Sequence, residues 1–354
     1  ILSSVGFVPL ASDTCVFKHS DPNVTFFISF HVDDLILATA DEALRANIVA
    51  RLKKILKIVD LGDLSFYLGM SVERGHSPIE GEFIFLHQNG YIMRTLEKFA
   101  MSNCKPSSSP ADPSSKLCKA MGPKDEEERR TMENIPYRGI VGSLIYAMIC
   151  TRPDIAQAVI AVSQYSSNPG PEHFRACKRI LRYLKGKPQG GIMYRPIPIL
   201  EAYSDSDWGT NPDHGRSITG YVIFMGGGPI CWSSKTQKSV ALSSCEAEYY
   251  ALAEVIKELL WVVQFLTELG FPLIPPGKLF VGNQAAIRIA KNPESHSRTK
   301  HINIKYHFIR DHISSGRFEI IYVPTGDNIA DLFTKATNYV VFQKLILHLM
   351  HLSP

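Results

Sequence analysis

Cysteine is scarce and scattered, with seven residues at positions 15, 104, 118, 150, 177, 231 and 245 and no C-x-x-C pair among them. That pattern excludes a disulfide framework and a zinc knuckle as organising features. Long apolar runs are missing too, so no segment reads as a bilayer span. The opening stretch from Ile1 to Asp13 lacks the basic start and small-residue cleavage site of a secretory leader. Nor is either charge in great surplus. Thirty-eight Lys and Arg against 34 Asp and Glu give +4, which permits a polyanionic partner without demanding one.

What is present is a globular composition. The 354 residues are 45% hydrophobic and 20% charged, enough to bury the core of two or three domains. The chain opens on Ile1 rather than Met, which sets the expectation of a piece of something longer.

Phe26 to Thr39 (FFISFHVDDLILAT) reads as a hairpin with an acidic pair, Asp33 and Asp34, at its tip, followed by a helix over Glu42 to Leu56. Lys105 to Asp125 is rich in Pro and Ser and reads as a linker or extended crossing segment. Three helical pieces follow, Tyr137 to Cys150, Pro153 to Ser166 and Pro171 to Leu184, with Pro153 and Pro171 at first-turn positions. The third sets Phe174, Ile180, Leu181 and Leu184 on one side and Arg175, Lys178, Arg179 and Arg182 mostly on the other. Such a basic face is either simply solvated or a phosphate contact.

After Pro198 the hydrophobic period changes to two. Glu201 to Trp208, Ser217 to Met225 and Pro229 to Lys235 are expected as an antiparallel meander, and Ser243 or Ser244 as the cap of a helix to Leu269. A strand at Lys278 to Val281, helices at Gln284 to Lys291 and Lys305 to Ser314, a strand at Phe318 to Val323 and a last helix from Asp327 complete a βββαβααβα order. Trp208, Trp232 and Trp261 are read as core residues.

Acidic positions recur at strand ends and helix starts here: Asp205 in AYSDSDW, Glu246 in SSCEAEYYAL and Asp331 in NIADLFTK, with Gly282 in FVGNQAA where a fourth carboxylate would fall. Two-metal cleavage of nucleic acid needs converging carboxylates of this kind, and Mg²⁺ needs no Cys or His. Singly, each acid is weak, since helix-start acids also stabilise the macrodipole. The strings around them carry more. AYSDSDWGTNPDHGRSITGYVIFMGGGPICWSSKTQKSVALSSCEAEYYALAE, NQAAIRIAKNP, RTKHINIKYHFIRD and VPTGDNIADLFTK together resemble the RNase H domain of copia-type LTR retrotransposon polyproteins. FHVDDLILAT resembles the metal-binding hairpin of the same family's reverse transcriptase. LGDLSFYLGMSVER, YRGIVGSLIYAMICTRPDIAQAV and HFRACKRILRYLKG resemble its later palm, thumb and connection.

The resemblance implies an α/β (α+β) chain. Residues 1–101 would be the end of the palm and start of the thumb, 102–198 a linker and helical thumb or connection, 199–337 an RNase H-like mixed five-stranded sheet with flanking helices, and 338–354 a C-terminal tail. It also implies Mg²⁺ or Mn²⁺ at Asp205, Glu246 and Asp331 and, ancestrally, at Asp33 and Asp34. The implied partners are an RNA–DNA hybrid and the rest of the Pol polyprotein, and the implied setting is intracellular, in a virus-like particle or the nucleus.

Three departures qualify these expectations. Only 32 residues precede Asp33, too few for the upstream palm aspartate and the fingers, so polymerisation by this chain alone is not expected. His31 also replaces the family's usual Tyr before the acidic pair. At 282 the family carries Asp and this chain carries Gly. Asn283 is poorly placed to compensate because successive strand side chains face opposite ways, whereas Asp207 shares the parity of Asp205. Loss of one carboxylate is expected to impair cleavage without unfolding the domain. The stretch from Ser297 to Arg310 offers Arg298, Lys300, His301 and Lys305 as phosphate contacts. The spacing of His296, His301, His307 and His312 does not put all four on one helical face, which argues against zinc.

Overall fold

The computed structural model describes residues 1–78, 81–273, 275–291 and 303–352. The chain divides into two compact units, residues 1–65 with 257–274, and residues 66–256 with 275–354.

In the first unit β1 (Phe7–Pro9), β2 (Val16–His19), β3 (Phe26–His31) and β4 (Asp34–Thr39) form an antiparallel sheet in sequence order, followed by α1 (Glu42–Lys53). Alternation along β3 turns Phe26 and Ile28 inward, where they meet Val5, Phe7, Ile48 and Leu52. The Asp41 side chain caps α1 by accepting from Leu44 N at 2.9 Å. His31 pairs with Asp34, so Val32 and Asp33 alone make the hairpin turn, and Val32 takes φ 54°. A two-residue turn demands such a left-handed position, and a β-branched residue there is strained.

The second unit opens with β5 (Phe66–Tyr67), β6 (Met70–Ser77), β7 (Gly81–His87) and α2 (Asn89–Lys98), elements the sequence pattern had not marked. Next come α3 (Glu126–Glu133), α4 (Tyr137–Cys150), α5 (Ala156–Ser163) and α6 (Pro171–Gly186), and then β8 (Gly191–Tyr194), which completes the sheet β5-β6-β7-β8. Pro153 starts a short 3-10 turn before α5, and Pro171 opens α6. The expected second helical piece is therefore a turn plus a shorter helix. Beneath these helices, buried Arg152 gives Nε and Nη2 to the two Asp154 oxygens at 3.0 and 2.7 Å and Nη1 to Lys187 O at 2.8 Å; Tyr183 Oη donates to Asp154 at 2.6 Å. The buried charges are thus paired and hydrogen-bonded, as burial requires.

The last 154 residues contain β9 (Glu201–Ser206), β10 (Ile218–Met225), β11 (Gly228–Thr236), α7 (Ser244–Leu269), β12 (Gly277–Val281), α8 (Gln284–Lys291), α9 (Asn303–Ser314), β13 (Phe318–Tyr322), α10 (Asp331–Thr334) and α11 (Tyr339–Leu349). The division between the two units falls within α7. The second unit's five-stranded sheet runs β11-β10-β9-β12-β13, antiparallel through the meander and parallel across β9-β12-β13. The mixed five-stranded sheet is present as expected. The expected last helix is broken into a 3-10 turn at Thr325–Asp327, the four-residue α10, and α11. Phe342, Leu345, Ile346 and Leu349 of α11 are buried in the same core as α4 to α6, so the C-terminal stretch is a packed helix.

Trp208 and Trp261 are 56% and 45% exposed, which corrects the core assignment for both; Trp208 follows the end of β9, where the chain leaves the sheet. Among the described residues no helix is long and apolar enough to cross a membrane.

Candidate carboxylate site

Asp205 lies on β9 opposite Gly220 of β10. A side chain at 220 would be blocked, because its Cβ would sit 2.6 Å from Thr334 Cγ2 and 2.8 Å from Phe333 Cβ. Glycine there lets α10 settle directly on the sheet. Asn328, fully buried, fixes the approach by donating Nδ2 to Ser204 O at 3.0 Å and accepting Ala330 N–H at 3.1 Å. Thr334 can then donate its hydroxyl to Asp205 Oδ2. Lys335 sets its Nζ 2.9 Å from Asp331 Oδ2 and 4.0 Å from Asp205 Oδ2.

The third acid is Glu248, not the expected Glu246. Glu248 is 6% exposed, and the charges of Asp205, Asp331 and Lys335 all act on it. Glu246 accepts Leu242 N–H at 2.7 Å and Tyr250 Oη–H at 2.8 Å, so its carboxylate serves the start of α7. Two residues on a helix lie about 200° apart around its axis, so only one of the pair can face the sheet at this point. The sequence held a second acid in the same string, and only the placement of α7 selects between them.

Burial is the main reason the Asp331 carboxyl is pushed up to about 7, with the Asp205 charge adding and Lys335 opposing. Glu248 is raised well above the carboxylate range, by burial first and then by Asp205 and Asp331. Lys335 is raised, since these acids outweigh the burial that disfavours its charge. Asp207 is pushed up to about 6 by burial, partly offset by the Ile218 N–H. Its oxygens accept from Ile218 N and Thr210 Oγ, so Asp207 is committed to the loop after β9.

Val281 pairs with Ser204, the residue before Asp205, and Gly282 follows just past the end of β12. A Cβ at Gly282 would make ordinary contacts, 3.4 Å to Asn328 Nδ2 and 3.9 Å to Val323 O. Asn283 caps α8 instead, its Oδ1 accepting from Ala285 N at 2.9 Å and Ala286 N at 3.0 Å.

The basic candidates divide by role. Arg179 donates to Ser109 Oγ at 3.0 Å and pairs with Asp112, and Arg182 Nε donates to Lys105 O at 2.7 Å; both tie down the Pro- and Ser-rich crossing segment. Lys178 lies over the Phe174 ring at 4.6 Å, while Arg175 is exposed and pairs with Glu172. Beside them runs a cleft of about 450 Å³, walled by Arg175, Arg179, Gln157, Asn211, Thr334 and Lys335 among others, with Asp112 and Glu172 also on its wall. Lys305 lies 3.5 Å over the Tyr250 ring. Arg298, Lys300, His301 and His296 lie outside the described residues. Asp33 and Asp34 are exposed at the hairpin of the first unit.

Hard carboxylate oxygens suit Mg²⁺ or Mn²⁺. Asp331 Oδ1 and Glu248 Oε2 are buried without a hydrogen-bond partner, which is the condition a cation would relieve. Among the described residues no three such side chains are already drawn into a ligating group.

A family model described as reverse transcriptase (RNA-dependent DNA polymerase) matches residues 1–113. The chain is 40% identical over 94% of its length to the retrovirus-related Pol polyprotein from transposon TNT 1-94 of Nicotiana tabacum, of which it covers 25%. It is 38% identical over 97% of its length to the Pol polyprotein from transposon RE1 of Arabidopsis thaliana, of which it covers 23%. It thus spans about a quarter of these relatives. Among solved structures, LC11-RNase H1 in complex with an RNA/DNA hybrid aligns over 38% of this chain and 93% of that one, at 16% identity and TM-score 0.31. With a reverse-transcriptase match at its start, and high identity to plant transposon polyproteins along nearly all of its length, the chain belongs to the Pol polyprotein family of copia-type retrotransposons.

Proposed function

We propose that residues 199–337 are a hybrid ribonuclease domain whose cleavage is impaired by glycine at 282 and whose binding of RNA–DNA hybrid persists. The observation that carries this reading is the gathering of Asp205, Asp331 and Glu248 around Lys335, with Gly282 just past the end of the strand that pairs with β9. In the same proposal residues 1–101 are the end of a polymerase palm and start of a thumb, 102–198 the thumb and connection, and 338–354 the C-terminal segment.

Asp205, Asp331 and Glu248 would hold Mg²⁺ or Mn²⁺, which when bound supplies water activation and stabilisation of the leaving oxygen. The chain's own residues prepare that site. Thr334 orients Asp205, Asn328 fixes the turn into α10, and burial of Asp331 and Glu248 keeps solvent from competing for their oxygens. Arg175 and the cleft beside it offer a path for a phosphate backbone. Asp33 and Asp34 stand as the polymerase remnant.

The test is cleavage of a labelled RNA–DNA hybrid with Mg²⁺ or Mn²⁺ by the native chain, by Gly282→Asp, and by Gly282→Asp carrying Asp205→Asn. Native cleavage is expected to lie about 10²-fold or more below that of Gly282→Asp, the cost of a misplaced reacting group. Asp205→Asn should abolish the gain. Native activity equal to that of Gly282→Asp would defeat the impairment. Silence of all three, with hybrid still bound in a salt-sensitive way, would leave a binding module.

A further inference from the structure

Lys335 stands in the middle of the cluster. Its ammonium lies 2.9 Å from Asp331 and 4.0 Å from Asp205. The side chain is 42% exposed, against 3% for Asp331 and 8% for Asp205, and it also lines the cleft. One end of its reach is therefore the acid cluster and the other is open.

The oxygens left over are informative. Asp331 Oδ2 accepts from Lys335 while its Oδ1 has no partner, and Glu248 Oε2, equally buried, has none. One monovalent cation pairs with one carboxylate at 2.9 Å and a second at 4.0 Å, and acts on the third only through its charge, leaving Glu248 Oε2 without a hydrogen-bond partner. A divalent ion needs several of these oxygens at about 2.1 Å, and an ammonium ion pair on the same oxygens opposes that approach.

We propose that Lys335 is a resident counter-cation that competes with the divalent ion: it holds Asp331 and Asp205 while the cluster is metal-free, and it swings towards the cleft when a metal enters. The proposal rests on the reading that these carboxylates take a divalent cation. Arginine at 335 would preserve the competition. A neutral residue would remove it, and would at the same time leave the empty cluster short of positive charge.

The test is Mn²⁺ binding to the full chain, read from the electron paramagnetic resonance signal of free Mn²⁺, with thermal melts in EDTA alongside. The proteins are the native chain, Lys335→Gln, Lys335→Arg and Asp205→Asn. Lys335→Gln is expected to bind Mn²⁺ about tenfold more tightly than native. It should also melt lower in EDTA, while Lys335→Arg stays within about threefold of native affinity. Lys335→Met, which keeps the aliphatic stem, replaces Gln should that variant fail to fold. Unchanged or weaker binding by the neutral variants, with native binding still sensitive to Asp205→Asn, would overturn the competition and leave the metal site standing. If no variant shows Mn²⁺ binding sensitive to Asp205, the competition falls together with the reading beneath it.

Discussion

Replacing Gly282 by Asp tests the site through stability as well as cleavage. Its Cβ would meet nothing closer than Asn328 Nδ2 at 3.4 Å, and the backbone at 282 is not in the left-handed region, so the substitution is sterically permitted. Removing a glycine alone would stabilise by roughly 0.4–1 kcal/mol through the unfolded chain. Against this, the new carboxylate joins Asp205, Asp331 and Glu248 with Lys335 as the cation placed among them. At about 5 Å and an effective dielectric near 20, each added like-charge pair costs about 3 kcal/mol, and relaxation and proton uptake reduce the total. The net expectation in EDTA is a loss of about 1–3 kcal/mol. For a domain of this size that is a melting point lower by about 2–12 °C. Divalent ion at about 100 times its Kd would return roughly 2.7 kcal/mol. Scanning calorimetry or circular dichroism melts of both proteins, in EDTA and in Mn²⁺, measure this directly. The reasoning fails if Gly282→Asp melts like the native chain in EDTA and gains nothing extra from Mn²⁺.

Exchanging the two glutamates separates their roles. Glu248→Gln, which resembles the protonated acid, should leave the EDTA melting point nearly unchanged and should weaken Mn²⁺ binding, whereas Glu246→Gln should cost about 1 kcal/mol at the start of α7 and leave Mn²⁺ binding unchanged. Stability of the metal-free chain should fall as pH rises from about 4 to about 7. The Asp331 carboxyl is pushed up to about 7 when folded and returns to the ordinary carboxylate range when unfolded, so the folded state holds the extra proton and loses ground as that proton leaves. Melts against pH in EDTA should show this slope, and Asp331→Asn should flatten it. Asp154→Ala, which strands buried Arg152 and Tyr183, should cost about 3–5 kcal/mol by urea denaturation, and a loss under 1 kcal/mol would contradict the role given to that network.

The long periodic elements were legible because their patterns are local. Helix α7 runs Ser244–Leu269 and α4 runs Tyr137–Cys150, the bounds that capping and the 3.6-residue period imply. The sheet β5-β6-β7-β8 was not legible. Its last strand pairs with β7 across more than a hundred residues, and β6 carries Glu73, Arg74 and His76 where a period-two apolar face would be sought. The break between α10 and α11 was also missed. Residues Lys335 to Asn338 leave the helix so that the first turn can meet Gly220, a contact between residues over a hundred positions apart.

The sequence by itself determined the family, the strand and helix that carry Asp205 and Asp331, and the gap at Gly282, because each is written in a contiguous string. Tertiary structure alone decided that Glu248 joins the acids while Glu246 serves the helix, that Asp207 belongs to a loop, and that Arg179 and Arg182 hold the crossing segment. It also brought Lys335 to the centre of the cluster. The reason is physical. A string fixes what a side chain is and the local period it follows, but which of two acids on one helix loses its water depends on the rotation of that helix against a sheet assembled from distant strands.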